Sequence, residues 1–360
     1  MTISGLVILI DQIDQIDQID HMKSIILNKP THFTIESLSE PDSPGHNEVL
    51  VRIHRVGICG TDLHAYQGRQ PFFSYPRILG HELGVEILKT GENVQHIQPG
   101  DRCAVIPYLH CGACLPCRMG KTNCCTELSV LGVHTDGGMR TKMILPADKL
   151  LPSTSLTFEQ LALVETLGIG AHAVQRADLK PGEKILLIGA GPIGLSVLEF
   201  AQISDVDVIL LERSKKRIAF CEEHYNLFGI INNVEQIERQ LLNALHGDLP
   251  TAVFDATGNV QSMIKAHQLV SNGGRLIYVG FTQEAITFKS AEFHRREMTL
   301  ISSRNARKAD LQMVMDHIET GAIDTTPWIT HRTNATEMTT EFPRWLDPEY
   351  GVIKAILEMT

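Results

Sequence analysis

The sequence predicts an α/β protein in which a β-rich domain is joined to a doubly wound parallel sheet. Three observations predict it. Short apolar segments separated by glycine and proline fill residues 22–150, strands and helices alternate after residue 174, and a glycine-rich turn joins the first strand and helix of that second region. At 360 residues the chain is long enough for about two domains.

The β-rich half is indicated by segments in which apolar and polar residues alternate. EVLVRIHRVGI (48–58) has the period of a half-buried strand, and GVEILKTG (84–91) and PGDRCAVIPY (99–108) are further strands. Regular helix is scarce until TFEQLALVETLGIGAHAV (157–174), whose apolar residues have a helical period. Thr157 is suited to cap the start of that helix.

The second half alternates strands with helices, which is typical of a parallel sheet. KILLIGAGPIGLSVLEFAQI (184–203) predicts a strand, a turn and a helix, and VDVILLERSKKRIAFCEEH (206–224) predicts a second strand and helix. TAVFDATG (251–258) and GGRLIYVG (273–280) are two more strands. The pattern of GVIKAILEM (351–359) is compatible with either a strand or a helix.

Composition and charge exclude several kinds of partner. The chain is 43% hydrophobic and 21% charged, which is typical of a soluble globular protein. A net charge of −10 argues against a nucleic-acid partner and against a polybasic membrane anchor. The amino terminus lacks a basic start and a long apolar run, so we expect no secretory signal and a cytoplasmic location. In that reducing compartment, clustered cysteines favour metal binding over disulfides.

Residues 1–21 contain a three-residue repeat, DQIDQIDQID (11–20), ahead of Met22. A period of three fits neither a helix nor a strand well. A short amphipathic helix is the alternative, but we interpret the segment as a disordered extension outside the fold.

The motif GAGPIG (189–194) predicts a dinucleotide site, because it follows an apolar strand and opens a helix. Its three glycines permit a tight turn, a close approach to a pyrophosphate, and close packing of the helix on the strand. The next strand ends at Glu212, whose carboxylate would bind ribose hydroxyls and repel a 2′-phosphate, which favours NAD over NADP. Arg213, Lys215 and Lys216 lie just beyond and could instead recognise a 2′-phosphate, but we interpret them as a solvated helix start. The residues predicted to bind the cofactor are Gly189, Gly191, Pro192, Ile193, Gly194, Glu212, Arg213, Val279 and Gly280.

Five of the eight cysteines fall within HCGACLPCRMGKTNCC (110–125). Four of them follow the spacing C-x2-C-x2-C-x7-C, whose last interval does not fit a ferredoxin-like cluster. Elsewhere Cys59 offers a thiolate and His81 an imidazole, which are both zinc ligands, and carboxylates follow at Glu82 and Glu165. A catalytic zinc site needs three protein ligands and one open position.

Together with GICGTDLHAYQG (57–68), LGHELGVEI (79–87) and GAGPIG, the cysteine cluster resembles the zinc-dependent medium-chain alcohol and polyol dehydrogenases. The resemblance extends over nearly all of residues 22–360. It implies a GroES-like catalytic domain, a Rossmann domain, zinc and NAD as cofactors, and a homodimer or homotetramer. The implied catalytic domain is formed by residues 22–170 and 305–360, and the implied NAD-binding domain by residues 171–304.

The resemblance also implies roles for single residues. Cys59 and His81 match the zinc ligands of the catalytic site, and either Glu82 or Glu165 matches the third. Thr61 and His64 match a hydroxyl and a histidine that pass on the proton released by the substrate, although His64 could also be an ordinary surface histidine. Asp62 is expected to support the site without ligating. The structural-zinc ligands implied by the spacing are Cys111, Cys114, Cys117 and Cys125, which leaves Cys124 as a bystander and Cys103 and Cys221 as ordinary buried residues.

Three segments most resemble bacterial dehydrogenases of sugar acids, L-galactonate oxidoreductases in particular: residues 68–82, 123–138 and 292–306. This implies oxidation of a secondary hydroxyl of a hexonate to a keto acid. Arg69, Arg77 and Arg304 are candidates to bind the substrate carboxylate, but Arg304 with Asn305 could instead contact the nicotinamide or a neighbouring subunit. The alternatives are a polyol or L-threonine dehydrogenase and, in a different class, a zinc- and NAD-binding protein without turnover.

Overall fold

The computed structural model describes residues 22–360. They form four sheets, of which one with seven strands and one with six organise the two halves of the chain. The predicted extension, residues 1–21, lies outside the described residues. Within residues 22–360, no helix has both the length and the apolarity needed to span a bilayer.

The strands and helices are numbered in chain order. Strands β1–β18 are Met22–Lys29, His32–Leu38, Glu48–Gly57, Arg77–Ile78, Glu82–Thr90, Arg102–Val105, Tyr108–Leu109, Ser129–Val130, Lys142–Pro146, Leu150–Ser153, Lys184–Ile188, Asp207–Leu211, Gly229–Ile231, Ala252–Asp255, Arg275–Tyr278, Thr299–Ser302, Ile329–Asn334 and Lys354–Glu358. Helices α1–α10 are Gly60–Tyr66, Leu115–Arg118, Phe158–Ala177, Pro192–Ile203, Lys215–His224, Ile237–Ala244, Val260–Ala266, Ser290–Arg295, Lys308–Glu319 and Met338–Glu341. Short 3-10 helices are Thr122–Cys124, Ala147–Lys149, His267–Leu269, Thr326–Trp328, Phe342–Leu346 and Pro348–Tyr350.

The seven-stranded sheet has the order β10-β6-β5-β3-β18-β17, and β9 also pairs with β3. The predicted strands at 48–58, 84–91 and 99–108 are confirmed as β3, β5 and β6. Val49, Val51 and Ile53 of β3 are fully buried, as the alternating pattern requires. Residues 351–359, whose pattern was compatible with either a strand or a helix, contain strand β18, which pairs antiparallel with β3. The end of the chain therefore returns to the first sheet.

The six-stranded sheet is parallel throughout and has the order β13-β12-β11-β14-β15-β16. This confirms the predicted doubly wound arrangement. The chain direction across the sheet reverses between β11 and β14, and in such sheets a ligand binds at the carboxyl ends of the strands at that point.

Helix α3 connects the two halves. It begins as predicted at Thr157, whose Oγ1 accepts a hydrogen bond from the Gln160 backbone N–H at 3.2 Å. Most of the helix is buried, and its apolar residues share one core with α4 and α9. The predicted domain boundary at residues 170 and 171 falls inside this helix, so the division between the domains stays a prediction.

Candidate active site and metal centres

Cys59, His81 and Glu82 come together at the start of β5. Cys59 precedes α1 as its N-cap residue, and His81 and Glu82 lie where the short loop after β4 enters β5. The three ligand atoms all lie within 4.8 Å of one another, and His81 and Glu82 are buried. The structure therefore brings together three of the four residues that the sequence assigned to the catalytic metal site.

Asp62 supports this group from helix α1. It is fully buried, and its Oδ2 accepts a hydrogen bond from the Cys59 backbone N–H at 2.9 Å. Its Oδ1 lies 3.8 Å from Nδ1 of His81, and neither of these two buried atoms has a hydrogen-bond partner in the described part of the chain. Burial raises the pKa of Asp62, against the opposing effect of His81. Because Nδ1 of His81 faces a carboxylate, its Nε2 is the nitrogen left to bind a metal.

Glu82 is held by a buried lysine that sequence reasoning missed. Nζ of Lys354 donates to both carboxylate oxygens of Glu82, at 2.7 and 2.8 Å, and also contacts Ile58 O at 3.2 Å and Thr166 Oγ1 at 3.1 Å. Lys354 is only 1% exposed. Burial is the largest single effect and would lower the pKa of Lys354, but the charge of Glu82, its hydrogen bond and the other acidic groups nearby together outweigh burial, so the net shift is upward. The only signal in the sequence is that Lys354 is a single charged residue within the apolar run VIKAIL, which suggests a buried lysine with an acidic partner.

Glu165 has a different partner. It is buried in helix α3, and its Oε1 accepts a hydrogen bond from the hydroxyl of Tyr108, which is also buried. Burial raises the pKa of Glu165, against the opposing charge of His81. Glu165 is not one of the three residues whose ligand atoms lie within 4.8 Å of one another. Which carboxylate is the third ligand stays a prediction.

The donor set fits a zinc ion. A thiolate, an imidazole and a carboxylate are all ligands that zinc accepts, and three protein ligands leave one position of a tetrahedron open. Nδ1 of His81 and Oδ1 of Asp62 have no hydrogen-bond partner in the described part of the chain. When a metal binds Nε2, these two atoms would form the hydrogen bond that fixes the orientation of the histidine ring.

The second candidate metal site is the cysteine lobe, residues 111–125. Its four sulfur atoms, from Cys111, Cys114, Cys117 and Cys125, lie within 4.8 Å of one another. Sγ of Cys125 lies 3.5 Å from Sγ of Cys111 and 3.8 Å from Sγ of Cys114. Zinc bound tetrahedrally by thiolates at about 2.3 Å separates the sulfur atoms by about 3.8 Å, whereas a disulfide bond is about 2.0 Å long. The spacing therefore fits zinc and excludes disulfides.

Backbone N–H groups of the lobe point toward the sulfur atoms. Cys111 N lies 3.3 Å and Glu127 N 3.4 Å from Sγ of Cys125, and Cys114 N lies 3.4 Å from Sγ of Cys111. Such contacts place hydrogen-bond donors beside the sulfur atoms, as is common around metal ligands.

The remaining cysteines are separate from both sites. Cys124 is exposed and is not part of the lobe cluster, while Cys103 and Cys221 are buried, as predicted. Burial raises the pKa of Cys103 and of Cys221 to about 12, so both thiols stay protonated. All eight cysteines lie in the described part of the chain and are free.

The glycine-rich turn has the backbone that its motif predicts. Gly189 has a φ of +94°, a conformation in which residues with a side chain are rare. A Cβ added at Gly194 would overlap the carbonyl oxygen of Gly189, so the third glycine permits the close approach. Gly191 is the N-cap of α4, Pro192 is its first residue, and the carbonyl oxygen of Ile193 accepts a bond from Ser196 Oγ. The turn thus presents the start of a helix at the carboxyl edge of the sheet.

Glu212 is fixed next to this turn. Its Oε2 accepts a hydrogen bond from Ala190 N at 2.8 Å, and its Oε1 accepts bonds from Arg213 N at 2.7 Å and Ser214 N at 2.9 Å. The guanidinium that approaches Glu212 is that of Arg217, at 3.8 Å. The carboxylate is therefore held at the end of β12, beside the start of α4.

Val279 and Gly280 lie at the same edge of the sheet. Both of their backbone N–H groups donate to the carbonyl oxygen of Asp255, at 3.0 Å. These bonds tie the turn after β15 to the end of β14. The structure thus places all predicted cofactor residues at the carboxyl ends of the parallel strands, around the reversal point between β11 and β14.

Thr61 and His64 lie on helix α1, directly after Cys59. Thr61 is half-buried and His64 is exposed. They are three residues apart, so their side chains lie on neighbouring turns of one helix face. Arg69 is exposed beyond the end of the same helix.

Arg77 and Arg304 approach one imidazole from different segments. Burial lowers the pKa of His134, and the charges of Arg304 and Arg77 lower it further. Arg77 is already engaged, since its guanidinium lies 3.3 Å from Asp136 Oδ1 and donates to Ser74 Oγ at 2.8 Å. Arg304 is exposed.

Comparison with known proteins assigns a family model to each half of the chain. Residues 45–155 match the alcohol dehydrogenase GroES-like domain, and residues 192–320 match the zinc-binding dehydrogenase domain. These matches confirm the GroES-like and dinucleotide-binding folds that the sequence resemblance implied.

Individual relatives match both halves of the chain together. L-galactonate-5-dehydrogenase of Escherichia coli (strain K12) is 39% identical over 311 residues, which cover 86% of this chain and 91% of the relative. Sorbitol dehydrogenase of Bacillus subtilis (strain 168) is 34% identical over 279 residues, 73% of this chain and 76% of the relative. The crystal structure of a short chain alcohol dehydrogenase from E. coli CFT073, in complex with the cofactor NADH, superimposes with a TM-score of 0.88 at 30% identity. It covers 94% of this chain and 99% of that chain.

Proposed function

Because this chain belongs to the zinc-binding dehydrogenase family, we propose that it oxidises a secondary hydroxyl of a sugar acid and transfers the hydride to NAD. The grouping of Cys59, His81 and Glu82 is the observation that carries the reaction class. The sugar-acid substrate is supported by the 39% identity to L-galactonate-5-dehydrogenase. The product would be the corresponding keto acid.

We propose that residues 22–170 and 305–360 act as the catalytic domain and residues 171–304 as the cofactor domain. Two features support this division. Among the candidate metal ligands, Cys59 follows β3, His81 precedes β5, Glu82 begins β5 and Glu165 lies on helix α3, whereas the predicted NAD-binding residues lie at the carboxyl edge of the parallel sheet. Strands β17 and β18, near the end of the chain, belong to the first sheet.

At the catalytic site, Cys59 and His81 would hold zinc, with Glu82 or Glu165 as the third ligand. A bound zinc ion supplies Lewis-acid polarisation of the substrate hydroxyl, which lowers the pKa of that hydroxyl. Asp62 would orient the His81 ring through Nδ1, and Lys354 would offset the charge of Glu82. Burial of these groups excludes water, which strengthens each electrostatic contact.

The proton that leaves the substrate needs a path to solvent. We assign this path to Thr61 and His64, because a half-buried hydroxyl and an exposed imidazole follow each other on helix α1. Imidazole exchanges protons readily near neutral pH. Partial burial and the charge of Arg69 lower the pKa of His64, so its imidazole is neutral near neutral pH. His64→Gln should therefore reduce turnover most near neutral pH, where hydroxide is too scarce to replace the base, and leave zinc content unchanged.

NAD is favoured over NADP because Glu212 is fixed at the end of β12. A carboxylate in this position accepts hydrogen bonds from ribose hydroxyls and repels a 2′-phosphate. The ratio of kcat/KM with NAD to kcat/KM with NADP measures this preference. Glu212→Gln should lower that ratio.

The substrate test uses purified, zinc-loaded protein with NAD and a panel of hexonates including L-galactonate, polyols including sorbitol, and L-threonine. We expect NADH to form most efficiently with a hexonate. If no hexonate yields NADH, the sugar-acid assignment is wrong. A polyol substrate is the second candidate, favoured by the 34% identity to sorbitol dehydrogenase. Turnover with none of the substrates would favour a protein that binds zinc and NAD without catalysis.

The substrate carboxylate requires a cation. Arg77 is engaged by Asp136, which leaves Arg69 and Arg304 as the better candidates. Arg69→Gln and Arg304→Gln should be compared, and the variant that raises KM for the hexonate more than it lowers kcat identifies the carboxylate contact.

We also propose a homodimer or homotetramer in the cytoplasm. Strand β16 forms an outer edge of the six-stranded sheet, and most of its residues are exposed, which supports pairing with another copy. Eight free cysteines suit a reducing compartment. Light scattering on the purified protein would give the number of subunits.

A further inference from the structure

A cavity of about 410 Å³ lies between the cysteine lobe, helix α3 and the segment that follows β16. Of the described residues that line it, none is acidic, and four carry a positive charge: Lys121, Arg176, Arg304 and Arg307. A cation near the cysteine lobe could serve to balance the negative charge of its thiolates. Only Lys121 belongs to the lobe, so this does not account for the three arginines. Cys59 and His81 do not line this cavity.

The positive charge in the cavity is only partly neutralised. Arg307 forms an ion pair with Asp310 at 3.0 Å, and Nη2 of Arg176 donates to the carbonyl oxygen of Ser302 at 3.1 Å. Lys121, Arg176 and Arg304 form no ion pair within residues 22–360. A cavity with this charge attracts an anion.

A buried amide on the cavity wall lacks one partner. Asn123 is 3% exposed and lines the cavity, and its Nδ2 lies 2.8 Å from the carbonyl oxygen of Arg304 and 3.1 Å from Nε2 of His172. Nδ1 of His172 in turn lies within hydrogen-bonding distance, 2.8 Å, of the fully buried Asp310.

These contacts decide which way the amide of Asn123 points. The carbonyl oxygen of Arg304 can only accept, so the Asn123 nitrogen must face it, and Nε2 of His172 lies 3.1 Å from the same nitrogen. Oδ1 of Asn123 is then left without a donor, and it has no hydrogen-bond partner in the described part of the chain. A buried acceptor without a partner requires a donor, which a water molecule or a ligand with an O–H or N–H group can supply.

We propose that this cavity binds the phosphate group of a small metabolite, free or as a monoester, and that Oδ1 of Asn123 accepts a ligand hydroxyl. Lysine and arginine are the side chains that recognise phosphate oxygens. The volume falls in the range of about 300–1,000 Å³ that is typical of small-molecule sites. Hydrogen phosphate carries its own O–H group and a sugar phosphate carries hydroxyls, whereas sulfate has a similar shape and charge but no hydrogen to donate.

Such a ligand would bridge three separate parts of the fold. Lys121 and Asn123 belong to the lobe, His172 and Arg176 to helix α3, and Arg304 to the segment after β16. Binding to the folded state alone should therefore raise the unfolding temperature. Arg304 is also a candidate for the substrate carboxylate, so the inference is tested at Lys121 and Arg176, which the proposed dehydrogenase activity does not use.

The test is a titration of the full-length, zinc-loaded protein with inorganic phosphate, glycerol 3-phosphate and sulfate at constant ionic strength. Thermal unfolding and calorimetry report binding. We expect a saturable increase in unfolding temperature with at least one phosphate compound, and binding of sulfate about tenfold weaker, since the hydrogen bond to Oδ1 of Asn123 is lost. Tighter binding of inorganic phosphate identifies the free ion as the ligand, and tighter binding of glycerol 3-phosphate identifies an ester.

Variants locate the site. The double variant Lys121→Gln/Arg176→Gln should fold normally, because both side chains are exposed, and should weaken phosphate binding at least about tenfold. Lys180→Gln, whose ammonium pairs with Asp178 on the surface, is the matched control and should bind as the unmodified protein does. The proposal is overturned if neither phosphate compound shows saturable binding, if sulfate binds equally well, or if the double variant binds like the control.

Discussion

The cysteine lobe and the Cys59 site both offer thiolate to a metal, but they are assembled in different ways. All four sulfur atoms of the lobe come from one continuous segment, residues 111–125, and one of them, that of Cys111, is exposed. At the Cys59 site, ligands of three chemical types come from two elements, and His81 and Glu82 are buried. The lobe can form from local chain geometry alone, whereas the Cys59 site requires the finished sheet.

This difference in assembly corresponds to a difference in chemistry. Four thiolates complete a tetrahedral zinc site, so the lobe has no position for a substrate. The Cys59 site has fewer ligands, and around them are buried charges that the protein itself must balance, above all Glu82 with Lys354. A closed site stabilises a loop, and an open site with balanced buried charges can act on a bound molecule.

Removing a ligand of the open site should have the largest effect. Cys59→Ala is expected to lower kcat/KM by about a thousandfold, because Lewis-acid catalysis contributes several kcal/mol of transition-state stabilisation. Metal analysis should show the loss of one zinc per chain, and circular dichroism should show an intact fold. A variant with full activity on the true substrate would contradict the zinc mechanism.

Disturbing the charge balance of the same site should mainly reduce stability. Lys354→Met leaves the buried carboxylate of Glu82 without its cation, which we expect to cost about 3–5 kcal/mol of unfolding free energy. The matched double variant Lys354→Met/Glu82→Gln removes both charges and should regain most of that stability. Urea denaturation of the two variants measures the difference. Equal stability of Lys354→Met and the unmodified protein would show that Glu82 is not held as a charged pair.

The glycine-rich turn and the Lys354 contact show what could and could not be predicted from the sequence. The turn lies in one continuous motif, GAGPIG, so its glycines, the strand before it and the helix after it were all predictable. The cysteine lobe was predictable for the same reason.

The partner of Glu82 was not predictable, because it depends on tertiary pairing. Lys354 reaches Glu82 only because β18 pairs with β3, and β3 in turn pairs with β5, where Glu82 begins the strand. The residues are 272 positions apart in the sequence, and the segment around Lys354 fits a helix as well as a strand. The contact of Tyr108 with Glu165 was missed for the same reason, and no local pattern marks it.

Opening the closed site should destabilise the protein without impairing catalysis. Cys111→Ser removes an exposed ligand of the lobe, so we expect the loss of one zinc per chain and about 3 kcal/mol of stability, the contribution of a metal present well above its Kd. Turnover of the folded protein should stay within about twofold, because no residue of the open site is touched. A loss of activity as large as that of Cys59→Ala would mean that the lobe takes part in the reaction.

The smallest effect is expected at the fifth cysteine of the same segment. Cys124 is exposed and lies outside the cluster of four sulfur atoms, so Cys124→Ser should leave both zinc ions bound and change stability by less than about 0.5 kcal/mol. It is the matched control for Cys111→Ser, because the two substitutions are chemically identical and lie on the same lobe. If Cys124→Ser lost zinc as Cys111→Ser does, the ligand set would include Cys124. A difference between these two variants would instead show that the position of a sulfur atom, and not the number of cysteines nearby, determines which thiols bind the metal.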